Sequence, residues 1–296
     1  NKWLTDASLI TEYNKNLNQN YKINIKSALQ TSKDYIQITK PNDELSYTNS
    51  LSTNLSLEGY YLNKIDDYLN ISLSFYQTNQ KNEDNKTIPI VLPEIEYFTG
   101  YTNKFGNKTS GHYEAYNIFR DKNTLVHSKR QQKLSHKYNL NKEFINYNSK
   151  IQIDAEIYNQ LFNTEKKLIE SNTFQSGSYY RFFPIFGISS ETPFKFKKFA
   201  TKLTFIPKIH MTLTPGISNS NKLSNEDSTN NDFTIENIYR LNRYSGSDKM
   251  DNSKRITYGF SANSKYFKSS LSQSYEFTSN SNFHKEQGND DNLSDL

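Results

Sequence analysis

The chain has 296 residues, a formal net charge of +5 and no cysteine, and its 34% hydrophobic content includes 22 tyrosines and 19 phenylalanines. Mean hydropathy is −0.87, low for a chain that must fill a thick soluble core, while so many aromatics argue against disorder, since disordered chains are poor in them. Without cysteine there is no disulfide and no thiolate metal site, and no apolar run approaches the ~20 residues of a transmembrane helix. Lys and Arg are spread along the chain rather than gathered on one element, so no nucleic acid is expected as a partner. The densest basic stretch, Lys195–Lys198, reads as a solvated turn.

Two classes fit this composition. A transmembrane β-barrel is apolar only on its lipid face, has a polar lumen and carries aromatic girdles. A large soluble β-sandwich or β-solenoid with a codon bias toward Asn, Lys, Ile and Tyr is the alternative.

Period-2 alternation dominates from the start, and helical periodicity is hard to find. Tyr21, Ile23, Ile25, Ser27 and Leu29 share one face against Lys22, Asn24, Lys26 and Gln30, and Tyr35–Thr39 reads as the returning strand. Leu55, Leu57, Gly59 and Tyr61 alternate next; after a turn at Asn63–Asp67, Leu69, Ile71, Leu73 and Phe75 complete a hairpin. Gln80–Lys86 is a loop. Ile88–Tyr97 (IPIVLPEIEY) follows, where Pro89 and Pro93 each remove a ladder hydrogen bond and predict irregular pairing. His112–Arg120 and Leu125–Tyr138 are further strands. In Tyr147–Tyr158, Ile151, Ile153, Ala155 and Ile157 face away from Lys150, Gln152, Asp154 and Glu156; Asn163–Ser171 reads as a loop or a short helical turn.

Tyr179–Ser189 (YYRFFPIFGIS) is the most aromatic piece. Leu203, Phe205, Pro207, Ile209, Met211 and Leu213 then form an apolar odd-numbered row against Thr204, Lys208, His210 and Thr212. After a long polar loop, Ile256, Tyr258, Phe260 and Ala262 open another strand, and Ser270–Tyr275 lies in the last. Several runs alternate for about 9 to 12 residues, enough to cross a bilayer when tilted, whereas sandwich strands average about 5 to 6. Only 10 Gly and 7 Pro argue against many tight soluble turns. The fold class expected is therefore all-β, an antiparallel transmembrane barrel of the outer-membrane type.

Chemistry-bearing residues are sparse. The five histidines (His112, His127, His136, His210, His284) have no metal-ligand spacing, so no metal and no cofactor are expected. Glu226, Asp227, Asp232 and Glu236 could offer oxygens to a divalent cation, but they match no EF-hand loop and read as a solvated acidic loop. No segment resembles a nucleophile elbow, and no enzyme is expected. Arg240, Arg243, Lys254 and Arg255 admit two readings. They contact phosphate or carboxylate, with an Arg243–Asp248 pair in the forked geometry Arg favours, or they fold a long loop over the barrel mouth, which is the simpler case.

The stretch Asn225–Phe260 (NEDSTNNDFTIENIYRLNRYSGSDKMDNSKRITYGF) matches no catalytic signature. It resembles LptD, the outer-membrane barrel that assembles lipopolysaccharide, and in particular the alphaproteobacterial branch of that family. The resemblance rests on Asn225, Glu226, Asp227 and Ser228, on Asp232–Phe233 and Asn237, on Leu241, Asn242 and Arg243, and on Gly246, Asp248, Arg255, Tyr258 and Gly259. Ile88–Tyr97 and Ser270–Tyr275 resemble the same family.

The resemblance implies a non-catalytic lipopolysaccharide translocon in the outer membrane of a Gram-negative cell. Its partners would be lipopolysaccharide, outer-membrane lipid, the LptE lipoprotein plug and a periplasmic bridge that delivers substrate through an N-terminal jelly-roll domain. Residues 1–296 would be the central part of the barrel, with the jelly roll and the first and last strands absent, leaving an open portion of roughly 10–12 strands. Lys150, Gln152, Asp154, Glu156, Lys208 and His210 would face the lumen; Ile151, Ile153, Ile157, Phe205, Ile209 and Met211 would face lipid. The motif loop would lie on the extracellular side. A porin or TonB-dependent receptor wall shares every physical feature except the motifs and stays open as the alternative, with a soluble extracellular β protein behind it.

Overall fold

A computed structural model describes residues 6–80, 82–170, 173–196, 203–217, 219–228, 234, 237–278 and 292–294. Asp232, Phe233 and Glu236 of the motif stretch lie outside these residues, as do most of 289–296 and the second half of Lys195–Lys198.

The alternating sequence folds into one antiparallel sheet. Its strands are β1 (Ser8–Asn16), β2 (Tyr21–Gln30), β3 (Ser50–Tyr60), β4 (Asp67–Thr78), β5 (Ile90–Thr99), β6 (Thr102–Lys104), β7 (Asn107–Phe119), β8 (Arg130–Asn146), β9 (Ser149–Glu170), β10 (Thr173–Glu191), β11 (Phe194–Phe196), β12 (Leu203–Leu213), β13 (Arg255–Asn263) and β14 (Lys268–Glu276). Twelve of them pair in chain order from β1 to β14, with the short β6 on β7 and β11 on β12. This is the all-β, up-and-down sheet of a barrel wall, and β1 and β14 are its edges among the described residues. No helix among the described residues is long and apolar enough to cross a membrane, which has no bearing on strands.

The β3–β4 hairpin pairs in register from Tyr60↔Tyr68 to Ser50↔Thr78. The prolines of β5 leave their mark: its register slips between Val91 and Glu94 against β7. Other elements differ from the sequence reading. Tyr35–Thr39 is a short α-helix, α1, whose Ile36 is fully buried with Ala28 and Leu51. One turn of helix has no room to show a 3.6-residue period, so YIQIT passes for a strand. Leu125–Lys129 is not strand, and β8 starts at Arg130. Tyr147 does not open a strand. Tyr147 (φ 46°) and Asn148 (φ 67°) form the two-residue turn between β8 and β9, the left-handed pair that matches the twist of a hairpin. Nor is Asn163–Ser171 a loop, since β9 runs on to Glu170. Its polar residues sit where the strands rise beyond any apolar layer.

One rim carries the turns at 17–20, 61–66, 147–148 and 264–267 and the connections 100–106 and 192–202; the other carries 31–49, 79–89, 120–129, the junction of β9 with β10 and the longest connection, 214–254. The last of these decides the architecture. It folds back onto one face of the sheet, where side chains from β7, β8, β9, β10, β12, β13 and β14 converge on it. In a barrel wall the face that receives such a loop is the concave one. Its residues are mostly polar or small, with a buried apolar set of Tyr116, Ile118, Tyr158, Phe162, Phe183 and Ile185, and the alternate ones on the convex face include exposed Leu134, Leu161, Phe182, Ile188, Ile209 and Leu271.

Candidate functional site: a loop held on the inner face of the sheet

Glu226 and Asp227 of the acidic stretch are not solvated. Glu226 meets Arg120 of the 120–129 connection, Asp227 and Asp248 meet β8, and the organising cation is its Lys133. Its side chain is fully buried, with Nζ 3.0 Å from Glu114 Oε2, 3.1 Å from Asp227 Oδ2 and 2.9 Å from Asp248 Oδ1. Nζ also donates to Ser247 Oγ at 2.7 Å. The two aspartates tie the loop to itself. Asp227 accepts from the backbone N–H of Ser247 (3.0 Å) and of Asp248 (2.8 Å), while Asp248 accepts from the backbone N–H of Glu226 (2.7 Å). Asp248 accepts in addition from the Tyr116 hydroxyl of β7 at 3.0 Å. Arg181 of β10 closes the node, donating to the Asp248 and Ser247 carbonyls at 2.8 and 2.6 Å and to Gln160 Oε1.

A second node lies toward β14. Arg243 Nε donates to Asp251 Oδ2 at 2.6 Å and Nη2 contacts Glu276; Arg255 Nη1 reaches the same Asp251 oxygen at 3.0 Å. Ser253 donates to Glu276 Oε2 at 2.6 Å. Two guanidinium groups thus face two carboxylates, all of them buried. The Arg243–Asp248 pair, the less simple of the two readings of the sequence, does not form: Arg243 belongs to Asp251 and Glu276, and Asp248 to Lys133 and Tyr116. At the rim, Arg120 makes a forked contact with Glu226, and His127 Nδ1 lies 3.4 Å from it.

The charges respond to these surroundings. Burial works against an ionised Glu226, but the contacts of His127 and Arg120 outweigh it and hold the carboxyl below its usual range. Burial is likewise overcome at Asp227, where Lys133 and the hydrogen bonds from Ser228, Ser247 and Asp248 lower the carboxyl. At Asp248 burial wins, helped by the neighbouring Asp227, and the carboxyl is pushed up despite Lys133. Burial also opposes charge on Arg243, yet Asp251 and Glu276 raise it.

Between the nodes the loop is packed by apolar contacts and by missing side chains. Leu241 and Met250 form a buried cluster with Tyr158, Phe183 and Ile185. A Cβ on Gly187 of β10 would stand 2.5 Å from Leu241 Cδ2, and one on Gly259 of β13 would stand 2.7 Å from the Tyr239 hydroxyl. A Cβ on Gly246 would stand 2.5 Å from the Asp227 carbonyl oxygen. Asn242 Oδ1 accepts from the Asp251 N–H at 3.0 Å, and Asn225 caps the turn at Ser228 from both ends. Asn237 Oδ1 accepts from the Thr234 N–H at 2.9 Å, and among the described motif residues Tyr258 alone points to the convex face.

Residues singled out from the sequence fall on two faces. Asp154 and Glu156 line a cavity of about 560 Å³ beside the loop, with Glu94, Glu96 and Glu114. Gln152 shares their face and donates to Asp154; Lys150, nearer the short-turn rim, pairs with Glu143 at 3.1 Å. Lys208 Nζ stands 4.5 Å from the centre of the Tyr239 ring, and His210 is buried beneath Tyr239 and Leu241. Ile151, Ile153, Ile157, Phe205, Ile209 and Met211 occupy the alternate positions on the other face. Lys133, Arg181, Arg120, Tyr116 and Gly187 carry the loop and were not picked out. The available signal was parity, because Gln131, Lys133 and Ser135 form an uninterrupted polar inner row on β8. No group of three or more potential metal ligands is found among the described residues.

Residues 7–296 match the family model of LptD, LPS transport system D. The chain belongs to the LptD family. LptD proteins transport and assemble lipopolysaccharide in the outer membrane, and the β-rich sheet fits an outer-membrane barrel. No curated protein matches the chain. Within an LptD wall, the sequence that identifies the family is also the sequence that anchors this loop.

Removing the buried ammonium is the direct test of the anchor. Lys133→Met keeps the apolar stem and leaves Glu114, Asp227 and Asp248 without their cation, so folding stability in lipid vesicles should fall by about 3–5 kcal/mol. A loss under about 1 kcal/mol would mean that the carboxylates find other partners. The rim anchor should show a pH signature. The folded value of Glu226 lies below its unfolded one, so its contribution is complete above about pH 4.3 and is lost as pH falls through the lower folded value. Protease cleavage of the loop should therefore rise only under acid conditions in the native protein, and Glu226→Gln should raise it already at neutral pH.

Proposed function

We propose that this chain is the middle of the barrel wall of a lipopolysaccharide translocon, and that residues 214–254 act as an internal strut that holds the wall curved and occupies part of the lumen. The charge network between Lys133, Asp227 and Asp248 carries this reading. A loop that only shielded the barrel mouth would have no need to set buried ions against seven strands. Outer-membrane barrels keep short turns on the periplasmic side and long loops outside, and the connections of 31–49, 79–89, 120–129 and 214–254 all share one rim. That supports an extracellular origin for the loop, followed by insertion into the lumen.

On this reading the concave face is the lumen, with Lys150, Gln152, Asp154, Glu156, Lys208 and His210 on it. The convex face with Ile151, Ile153, Ile157, Phe205, Ile209 and Met211 meets lipid; Ile209 is 46% exposed there. The action is non-catalytic, because the work is passage and insertion of the glycolipid. A part of the concave face between β5 and β9 remains unfilled by the strut, with a second space of about 830 Å³ next to the first. Its polar walls suit the LptE lipoprotein as the partner that completes the seal. Delivery from a periplasmic bridge through a jelly-roll domain follows the family's pattern.

Two measurements test this. In the full-length protein, Ile153→Arg should cost about 2–4 kcal/mol near mid-bilayer, whereas Gln152→Arg should be tolerated; equal tolerance of both would sink the face assignment. Replacing 219–250 with a short Gly-Ser link should lower the yield of assembled barrel and sensitise intact cells to large antibiotics. A deletion that assembles normally and leaves permeability unchanged would reduce the strut to a surface loop.

A further inference from the structure

At the rim with long connections, the convex face bears a group of residues that neither the strut nor the lumen uses. Phe119, Arg130 and Glu165 are cross-strand neighbours on β7, β8 and β9. They point away from Ile118, Gln131 and Thr164, the buried neighbours on the loop side. A pocket of about 320 Å³ opens there, lined by Phe119, Arg120, Lys129, Arg130, Glu165 and Lys166. Arg120 is directed inward to Glu226 and its charge is matched. Lys129, Arg130 and Lys166 are left with the single carboxylate of Glu165, three cations against one anion.

The pocket is built rather than incidental. The Arg130 guanidinium lies 4.9 Å from the centre of the Phe119 ring, and its Nε donates to Asn117 Oδ1 at 3.2 Å. Glu165 holds only one side of it, at 3.4 Å. Lys166 breaks the β9 alternation with a φ of 52°, opposite the register shift between Gln175 and Gly177. Such bulges re-aim a side chain. The backbone of Lys166 is fixed on both sides, its N–H donating to Ser176 Oγ at 2.9 Å and its carbonyl accepting from Asn123 at 2.7 Å. Lys129 and Lys166 are both exposed.

Height along the wall selects the occupant. Leu134 and Leu161 are cross-strand partners, 60% and 50% exposed, and are the last apolar pair below this charged group on the convex face. Above them stands the polar pair Gln132 and Asn163, hydrogen-bonded at 3.1 Å, and then Arg130 with Glu165. Arg130 is four positions above Leu134, about 13 Å along the strand and roughly 10 Å along the membrane normal at the usual tilt. That is just beyond the hydrocarbon edge, in and above the headgroup layer. We infer that this pocket holds the phosphorylated sugar headgroup of an outer-leaflet glycolipid, with Arg130 and the two lysines on its phosphate and Phe119 against its apolar base. Arg forks fit phosphate, and Lys adds point charges. The inference rests on the orientation proposed above.

The test uses full-length protein in phosphatidylcholine nanodiscs, titrated with bisphosphorylated lipid A, with its monophosphorylated form and with inorganic phosphate, and read by native mass spectrometry. At about a fivefold gain per basic residue near an anionic surface, removing three should weaken binding of bisphosphorylated lipid A by about a hundredfold. The variant is Lys129→Ser with Arg130→Gln and Lys166→Ser, and Lys142→Ser near the opposite rim is the control expected to bind as wild type. The monophosphorylated lipid should bind the native protein more weakly than the bisphosphorylated one, and the triple variant should erase that difference. Unchanged heat-modifiable migration in gels shows that the variant still folds. Equal affinity of variant and native protein for lipid A overturns the inference, and so does displacement of lipid A by millimolar inorganic phosphate. Labelling of Lys122→Cys by an impermeant maleimide on intact cells tests the orientation separately. Labelling without lipid binding refutes only the pocket, and absence of labelling refutes the orientation with it.

Discussion

The interaction on which the rest depends is the burial of the Lys133 ammonium among Glu114, Asp227 and Asp248. An unpaired charge cannot remain in such a place, so strand β8 fixes where two separate stretches of the loop must meet. The aspartates do more than neutralise it, because each also accepts hydrogen bonds from backbone N–H groups of the other's stretch. Pairing and loop closure are therefore one event. Tyr116, Gln160 and Arg181 extend the network to β7, β9 and β10, and satisfied networks of this kind favour a single arrangement over many. The node of Arg243, Arg255, Asp251 and Glu276 does the same for β13 and β14. Between them, the cluster of Tyr158, Phe183, Ile185, Leu241 and Met250 packs the loop against the sheet, and Val91, Tyr116 and Ile118 form a second apolar cluster.

This arrangement accounts for the low hydropathy of the chain. A wall that faces lipid outward needs apolar side chains on one parity only, and its backbone polar groups are satisfied by neighbouring strands. The opposite parity is free to be polar, and here it receives a polar loop. The loop needs close approach to the sheet, so strands β10 and β13 present glycine at 187 and 259 where Leu241 and Tyr239 come down. A side chain at 187 would press on Leu241 and lift the loop, whereas one at 259 would meet the Leu271 carbonyl of β14 before Tyr239.

The sequence made the strands legible because their rule is local. Alternation in β3, β4, β12 and β13 needs only neighbours two residues apart. Elements governed by something else were misread: α1 is too short to show its period, and the β8–β9 turn uses Tyr and Asn where glycine is the usual sign. Asn163–Glu170 reads as loop by composition but continues β9. The motif stretch was recognisable as a family mark while its purpose was not, because its partners are remote in the chain. Tyr116 and Asp248 are 132 positions apart, and Arg120 and Glu226 are 106 apart. A reader limited to nearby residues pairs Arg243 with Asp248, five positions on, and misses Glu276, 33 positions away.

The distribution of charge between the two faces bears on how a wall of this kind handles an anionic glycolipid. On the concave side, the space left beside the strut is lined by Glu94, Glu96, Glu114, Asp154 and Glu156, with Lys137 paired to Glu156 at 3.0 Å and His112 to Glu96 at 2.9 Å. Carboxylates outnumber cations there, and the enclosing walls focus their field. A phosphate inside this half of the lumen is repelled from the wall. On the convex rim the balance reverses, with Lys129, Arg130 and Lys166 around one glutamate. Strands β7, β8 and β9 and the 120–129 connection thus present opposite signs to the two sides, by parity and by the bulge at Lys166. On the proposed orientation, a phosphorylated headgroup beside them would lie lower in energy outside the wall than within it, and the wall would oppose its return without any moving part.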